Sequence, residues 1–167
     1  MTLLAILQGT PIRIWILLAG LVVLGLTQVR PRTLGAVRAA ALPAALFMLS
    51  LAGVATSFGL GAATLAAWMA GAGLAFSLAP RWLPRAEGRW SDTLDRVHVA
   101  GSWLPLLLIV GLFTIKYAAG ASLALHPEEA SDAAFAAPFC LAYGLFAGAF
   151  LVRGWQLWQL RQRELRA

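Results

Sequence analysis

Charge is scarce in this chain and unevenly placed. Only 12% of its 167 residues are Asp, Glu, Lys or Arg, against the roughly one-quarter usual in soluble domains. Between Ala39 and Ala79 there is no charged side chain at all, a stretch about twice as long as one helix needs to cross a ~30 Å hydrocarbon core. The single cysteine, Cys140, excludes an internal disulfide; it lies in an apolar run and reads as a small buried residue. The two histidines, His98 and His126, stand before and after one apolar segment, about 42 Å apart along a continuous helix, so they cannot grip one haem. With one cysteine they match no common zinc spacing either. No metal, no cofactor and no catalytic constellation is therefore expected.

What the chain has in quantity is apolar surface. Hydrophobic residues make up 60% of it, and the expectation is an all-α, polytopic transmembrane helical bundle. The length suits four to six spans and no separate soluble domain, so residues 1–167 form a single transmembrane domain. The net charge of +6 sits in arginines at the ends of apolar segments, where basic groups set topology and meet anionic headgroups. Membrane lipid is the expected partner, together with another membrane protein or a second copy of this chain; nucleic acid is not. The run from Ile14 to Leu26 lacks the basic start and small-residue cleavage site of a secretory signal, so it is expected to be retained as a span.

Five spans are predicted. The first covers 11–29, with Pro11 in a first helical turn and Arg30-Pro31 closing it. The second and third cover 39–58 and 60–79, separated by turn chemistry at Ser57-Phe58-Gly59-Leu60-Gly61. The fourth covers 102–125 and the fifth 133–160, joined by an acidic turn containing Glu128, Glu129 and Asp132. These carboxylates read as the ordinary complement of a helix N-terminus. Within Arg81 to Gly101, Asp92 and Asp95 stand at capping spacing, which predicts a short surface helix carrying Leu94 and Val97.

Arginine counting orients the bundle. The first loop holds Arg30, Arg32 and Arg38, the third holds Arg81, Arg85, Arg89 and Arg96, and the tail holds Arg161, Arg163 and Arg166. All three fall on one side of a five-span chain, and basic short loops stay cytoplasmic. The expectation is N-terminus out and C-terminus in, in a bacterial inner membrane. Trp82, Trp90, Trp103, Trp155 and Trp158 fall at that same boundary, where amphipathic rings favour the headgroup level.

Lys116 is the lone lysine. It lies about nine residues, or roughly 13 Å of helix, from the end of span four, which places it near the midplane. A central lysine costs ~2.5–3.5 kcal/mol on insertion scales, so it is expected to face the bundle interior or a wet cavity. No span supplies a carboxylate; depth matching offers Tyr143, with Tyr117 adjacent. The candidate intramembrane polar site is thus Lys116, Tyr117 and Tyr143, an anion or proton site, set against a side chain that snorkels to the outer headgroups. A Ser–Lys dyad is disfavoured, because neither Ser50 nor Ser122 is placed beside Lys116 and serines in spans commonly bond the backbone one turn back. Gly144 and Gly148 form a GxxxG pattern, and Ala67 to Gly71 is its small-residue relative; both allow close helix packing, inside the bundle or between copies.

Several strings resemble a family of short bacterial inner-membrane proteins known as a domain of unknown function. They are Ile6-Leu7-Gln8-Gly9-Thr10-Pro11 followed by Trp15, Gln28-Val29-Arg30-Pro31-Arg32, Gly101-Ser102-Trp103-Leu104-Pro105, Lys116-Tyr117 and Tyr143-Gly144-Leu145-Phe146. The resemblance spans nearly the whole chain and implies a polytopic inner-membrane protein, with no activity, cofactor or catalytic residue attached. The leading expectation is a non-enzymatic accessory, assembly or interaction protein. The alternative is a small transporter or channel using Lys116.

Overall fold

Helices α1 (Ile12–Leu26), α2 (Ala36–Phe58), α3 (Ala62–Trp82), α4 (Leu104–Leu125) and α5 (Ala133–Glu164) carry the architecture, with strands β1 (Arg32–Gly35), β2 (Gly88–Ser91) and β3 (Arg96–Val99). The computed structural model describes residues 9–84, 88–91 and 96–164. Helices α2 to α5 each contain a stretch long and apolar enough to cross a membrane. Helix α1 is apolar but has 15 residues, a rise of about 22 Å.

Local chemistry explains the helix ends. Pro11 precedes α1 with φ already in the range a helix start needs. Gly59 ends α2 at φ 75°, a conformation other residues adopt only at a cost. Thr64 Oγ1 then clamps the α2–α3 turn, donating to the carbonyls of Gly59 and Gly61 at 2.9 Å. Asp132 Oδ1 accepts from the Ala134 N–H at 2.9 Å, satisfying one of the orphan donors at the start of α5. The acidic turn before it, Pro127–Ser131, is a single stretch of 3₁₀ helix.

Helix α5 is the hub, packed along α3 and also against α2 and α4, while α1 lies mainly on α4. The α3–α5 seam is built from small residues. Gly144 faces the Trp68 carbonyl, Gly148 the Ala72 carbonyl, and Gly71 the Leu141 carbonyl, each with no room for a β-carbon. The buried core runs through Leu46, Val54, Ile109, Leu112, Cys140, Tyr143 and Phe150. Outside it, Ile12, Ile16, Met48, Met69 and Leu107 are all more than 60% exposed, a surface suited to lipid tails.

The polar connection between α3 and α4 departs from expectation. Where the sequence predicts a short surface helix, the chain forms β2 and β3, antiparallel to each other, with β1 on the far side of β3 in the order β1-β3-β2. Asp92, Leu94 and Asp95 lie outside the described residues. Valine and histidine alternate through Val97, His98 and Val99, and extended β-branched positions gain a partner once β1 is within reach. Thr33 and His98, opposite each other across β1 and β3, share a 2.9 Å side-chain hydrogen bond. The first and third loops are thereby joined at one end of the bundle.

Candidate functional site

Helix α4 places Phe113, Lys116, Tyr117, Gly120 and Ala124 on one face at helical spacing. Opposite stand Thr10 to Leu17 at the start of α1 and Thr56-Ser57 near the end of α2, and the space between is a cavity of about 680 Å³. That is within the range of small-molecule sites. Its walls are largely apolar. The Lys116 ammonium donates to Thr56 Oγ1 at 3.3 Å, and Thr56 Oγ1 donates onward to the Ala52 carbonyl at 2.8 Å. Tyr117 and Thr10 share a hydroxyl–hydroxyl hydrogen bond of 2.7 Å, and Phe113 stacks on Tyr117 with ring centroids 6.2 Å apart.

Lys116 is solvent-exposed, and among the described residues no carboxylate lies within ion-pairing reach of it. The His126 imidazole and the Glu128 carboxylate, 3.4 Å apart, sit beyond the end of α4. An unneutralised ammonium on an apolar wall favours a ligand with an anionic head and a greasy body.

A second, smaller cavity of about 70 Å³ lies on the inner side of Lys116, lined also by Leu46, Ile109, Leu112 and Tyr143. Tyr143 is fully buried, its ring seated on Gly53, where a β-carbon would come within 2.6 Å of Cε1. Among the described residues its hydroxyl has no hydrogen-bond partner. The structure thus brings Lys116 and Tyr117 to the large cavity and Lys116 and Tyr143 to the small one. Gly144 and Gly148 lie in the α3–α5 seam. Ser50 is locked in the core, donating to the Tyr143 carbonyl at 2.6 Å and accepting from Trp68 Nε1 at 3.1 Å. Cys140 is fully buried. Among the described residues no group of three His, Cys, Asp or Glu side chains comes together.

One charged residue escaped the sequence reading. Arg153 is 7% exposed, inside the apolar stretch of α5. With Gln28 and Arg32 it lines a separate cavity at the opposite end of the bundle from Gly120 and Leu125. Burial holds the Arg32 guanidinium below its ordinary pKa, because the charged form loses hydration. A lone arginine in an otherwise uncharged span is the signal that marks such a residue.

No curated protein and no solved structure matches the chain. Its whole length, residues 1–167, does match one family model, and the chain accordingly belongs to DUF6622, a family of unknown function.

Proposed function

We propose that this is a non-enzymatic integral membrane protein that binds an anionic amphiphile in the cavity around Lys116, serving an accessory or assembly role in a bacterial inner membrane. The carrying observation is the pairing of an exposed ammonium, with no carboxylate partner among the described residues, with a mostly apolar cavity of about 680 Å³. In this reading α1 crosses with α2 to α5, giving five spans with the N-terminus out and the C-terminus in. The cavity then opens toward the outer leaflet, where the head of a lipid or fatty acid meets Lys116 and its chain lies along Phe113 and α1. Thr56 holds the ammonium in place, and the Tyr117–Thr10 pair ties α1 across the mouth.

Spin-labelled stearate and spin-labelled phosphatidylcholine, compared by electron paramagnetic resonance in reconstituted vesicles, test this. A larger motion-restricted fraction for stearate, abolished in Lys116→Gln, supports it. Equal fractions, or a stearate preference that survives Lys116→Gln, overturn it. The alternative, a small transporter or channel, draws on the smaller cavity, which continues past Lys116 toward Tyr143. It requires ion or solute flux in proteoliposomes that depends on both residues.

A further inference from the structure

At the other end of the bundle, two guanidinium groups share one small cavity. Arg153 lies about 30 Å of helix from Ala133, one hydrocarbon thickness, which puts it at headgroup depth if α5 spans a bilayer. An arginine there ordinarily snorkels outward, but Arg153 is 7% exposed and turns inward. Its Nη1 donates to the Pro84 carbonyl and to Gln156 Oε1, both at 3.4 Å, long bonds that leave most of its five donors available. Arg32 enters from β1, its Nη2 bonded to the side-chain oxygen of Gln28 and its Nη1 reaching the Thr27 carbonyl at 3.5 Å. Gln28, itself 7% exposed, fixes the direction of that guanidinium. Its own position is set by the backbone, since Ser102 N–H donates to the Gln28 carbonyl at 3.0 Å and Gly101 packs against the Val29 carbonyl with no room for a side chain.

The remaining walls, Leu42, Leu108, Phe150 and Leu157 among them, are apolar. No carboxylate lies within ion-pairing reach of either arginine among the described residues. Two like charges concentrated in an apolar enclosure repel each other and lose hydration, a combination that is costly without an anion between them. The cavity measures about 40 Å³, space for roughly three waters or for the oxygens of one oxyanion, and too little for an organic ligand. Arginine's planar fork matches phosphate oxygens two at a time.

We infer that this cavity is a phosphate-binding site in which Arg153 and Arg32 grip a single oxyanion and Gln28 aims Arg32 at it. At headgroup depth the phosphate belongs either to a phosphomonoester lipid, whose chains stay outside the bundle, or to free phosphate arriving from the aqueous side. The choline of phosphatidylcholine has neither room nor an attractive partner beside two guanidiniums.

The test uses the full chain in detergent micelles. Short-chain phosphatidic acid, short-chain phosphatidylcholine and inorganic phosphate are titrated separately, with bound adducts read by native mass spectrometry and Tm followed in parallel. In the Lys116→Gln background, which removes the ammonium of the other cavity, phosphatidic acid is expected to fill one site per chain in preference to phosphatidylcholine. That binding should weaken at least about tenfold in Arg153→Lys, which keeps the charge but loses the fork, and in Arg32→Gln. It should be unchanged in Arg30→Gln, a neighbouring exposed arginine. Phosphatidic acid binding without inorganic phosphate binding identifies a lipid headgroup site, and binding of both with the same arginine dependence identifies a free-oxyanion site. The inference is overturned if neither exceeds phosphatidylcholine, or if Arg30→Gln weakens binding as much as Arg32→Gln does. The Tm of each variant without ligand separates lost binding from lost folding.

Discussion

Ser50 Oγ donates to the Tyr143 carbonyl at 2.6 Å and accepts the Trp68 indole N–H at 3.1 Å, so one hydroxyl ties α2, α3 and α5 together at the centre of the core. Ser50→Ala leaves the buried indole N–H without its acceptor. A buried unsatisfied donor costs about 1–3 kcal/mol in soluble proteins, while hydrogen bonds between membrane helices average about 0.6 kcal/mol. The expected loss is therefore about 1 kcal/mol, read as a fall in Tm or in the midpoint of unfolding in detergent. Trp68 fluorescence should shift in the folded state as well.

The α3–α5 seam makes a sharper prediction. A β-carbon at Gly144 or Gly148 would collide with the backbone carbonyl of Trp68 or Ala72, which cannot swing aside as a side chain can. Gly144→Val and Gly148→Val are expected to force the helices apart and to cost about 2–3 kcal/mol each, in the upper range for overpacking. Gly20 and Gly73 have nothing within 4 Å of a built β-carbon. Gly20→Ala and Gly73→Ala should be neutral or stabilising, by up to about 1 kcal/mol from helix propensity. Thermal unfolding of the four variants side by side checks the contrast, and similar losses in all of them would contradict this account of the seam.

The helices were readable in the sequence because their boundaries coincide with residues whose chemistry ends or begins a helix. Pro11, Gly59 and Asp132 mark α1, α2 and α5 within a few residues. The sheet was not readable. Each strand has four residues, and β3 finds its partner Arg32–Gly35 some sixty-odd positions away, a pairing no local pattern can reveal. Lys116 stood out through its uniqueness, and counting residues gave its depth, but Thr56 and Thr10 reach the cavity from other helices and carry no mark of their own. Arg153 was overlooked for the opposite reason. It sits close to the arginines of the tail and reads with them as part of a basic terminus, although no other residue of the predicted span 133–160 is charged; its burial sets it apart from them.

The Tyr117–Thr10 hydroxyl bond of 2.7 Å joins α4 to the segment leading into α1. Tyr117→Phe keeps the ring and its stacking on Phe113 while removing the hydroxyl. Loss of one partly exposed hydrogen bond is expected to cost about 0.5–1 kcal/mol globally. The larger effect should be local: amide exchange near Ile12 to Ile16 is expected to speed up more than exchange in α3 or α5. Uniform acceleration across all helices would mean that the bond matters to the whole bundle and not to the cavity mouth.

Cys140 offers an internal control for orientation. The chain has one cysteine and it is fully buried, so a membrane-impermeant maleimide should leave the native protein unlabelled until it is unfolded. Against that silent background, single cysteines can report the side on which each loop lies. Ser131→Cys is on the exposed acidic turn, and Arg30→Cys is on the exposed turn after α1. The proposed topology, read from positive-inside asymmetry, predicts Ser131 outside and Arg30 inside. In right-side-out vesicles the Ser131 variant should therefore label at once, and the Arg30 variant only after permeabilisation. The reverse pattern would invert the bundle, turning the Lys116 cavity toward the cytoplasm and the Arg32–Arg153 cavity outward. Labelling of both from one side would mean an even number of crossings between residues 30 and 131, instead of the three that the proposed topology assigns to α2, α3 and α4.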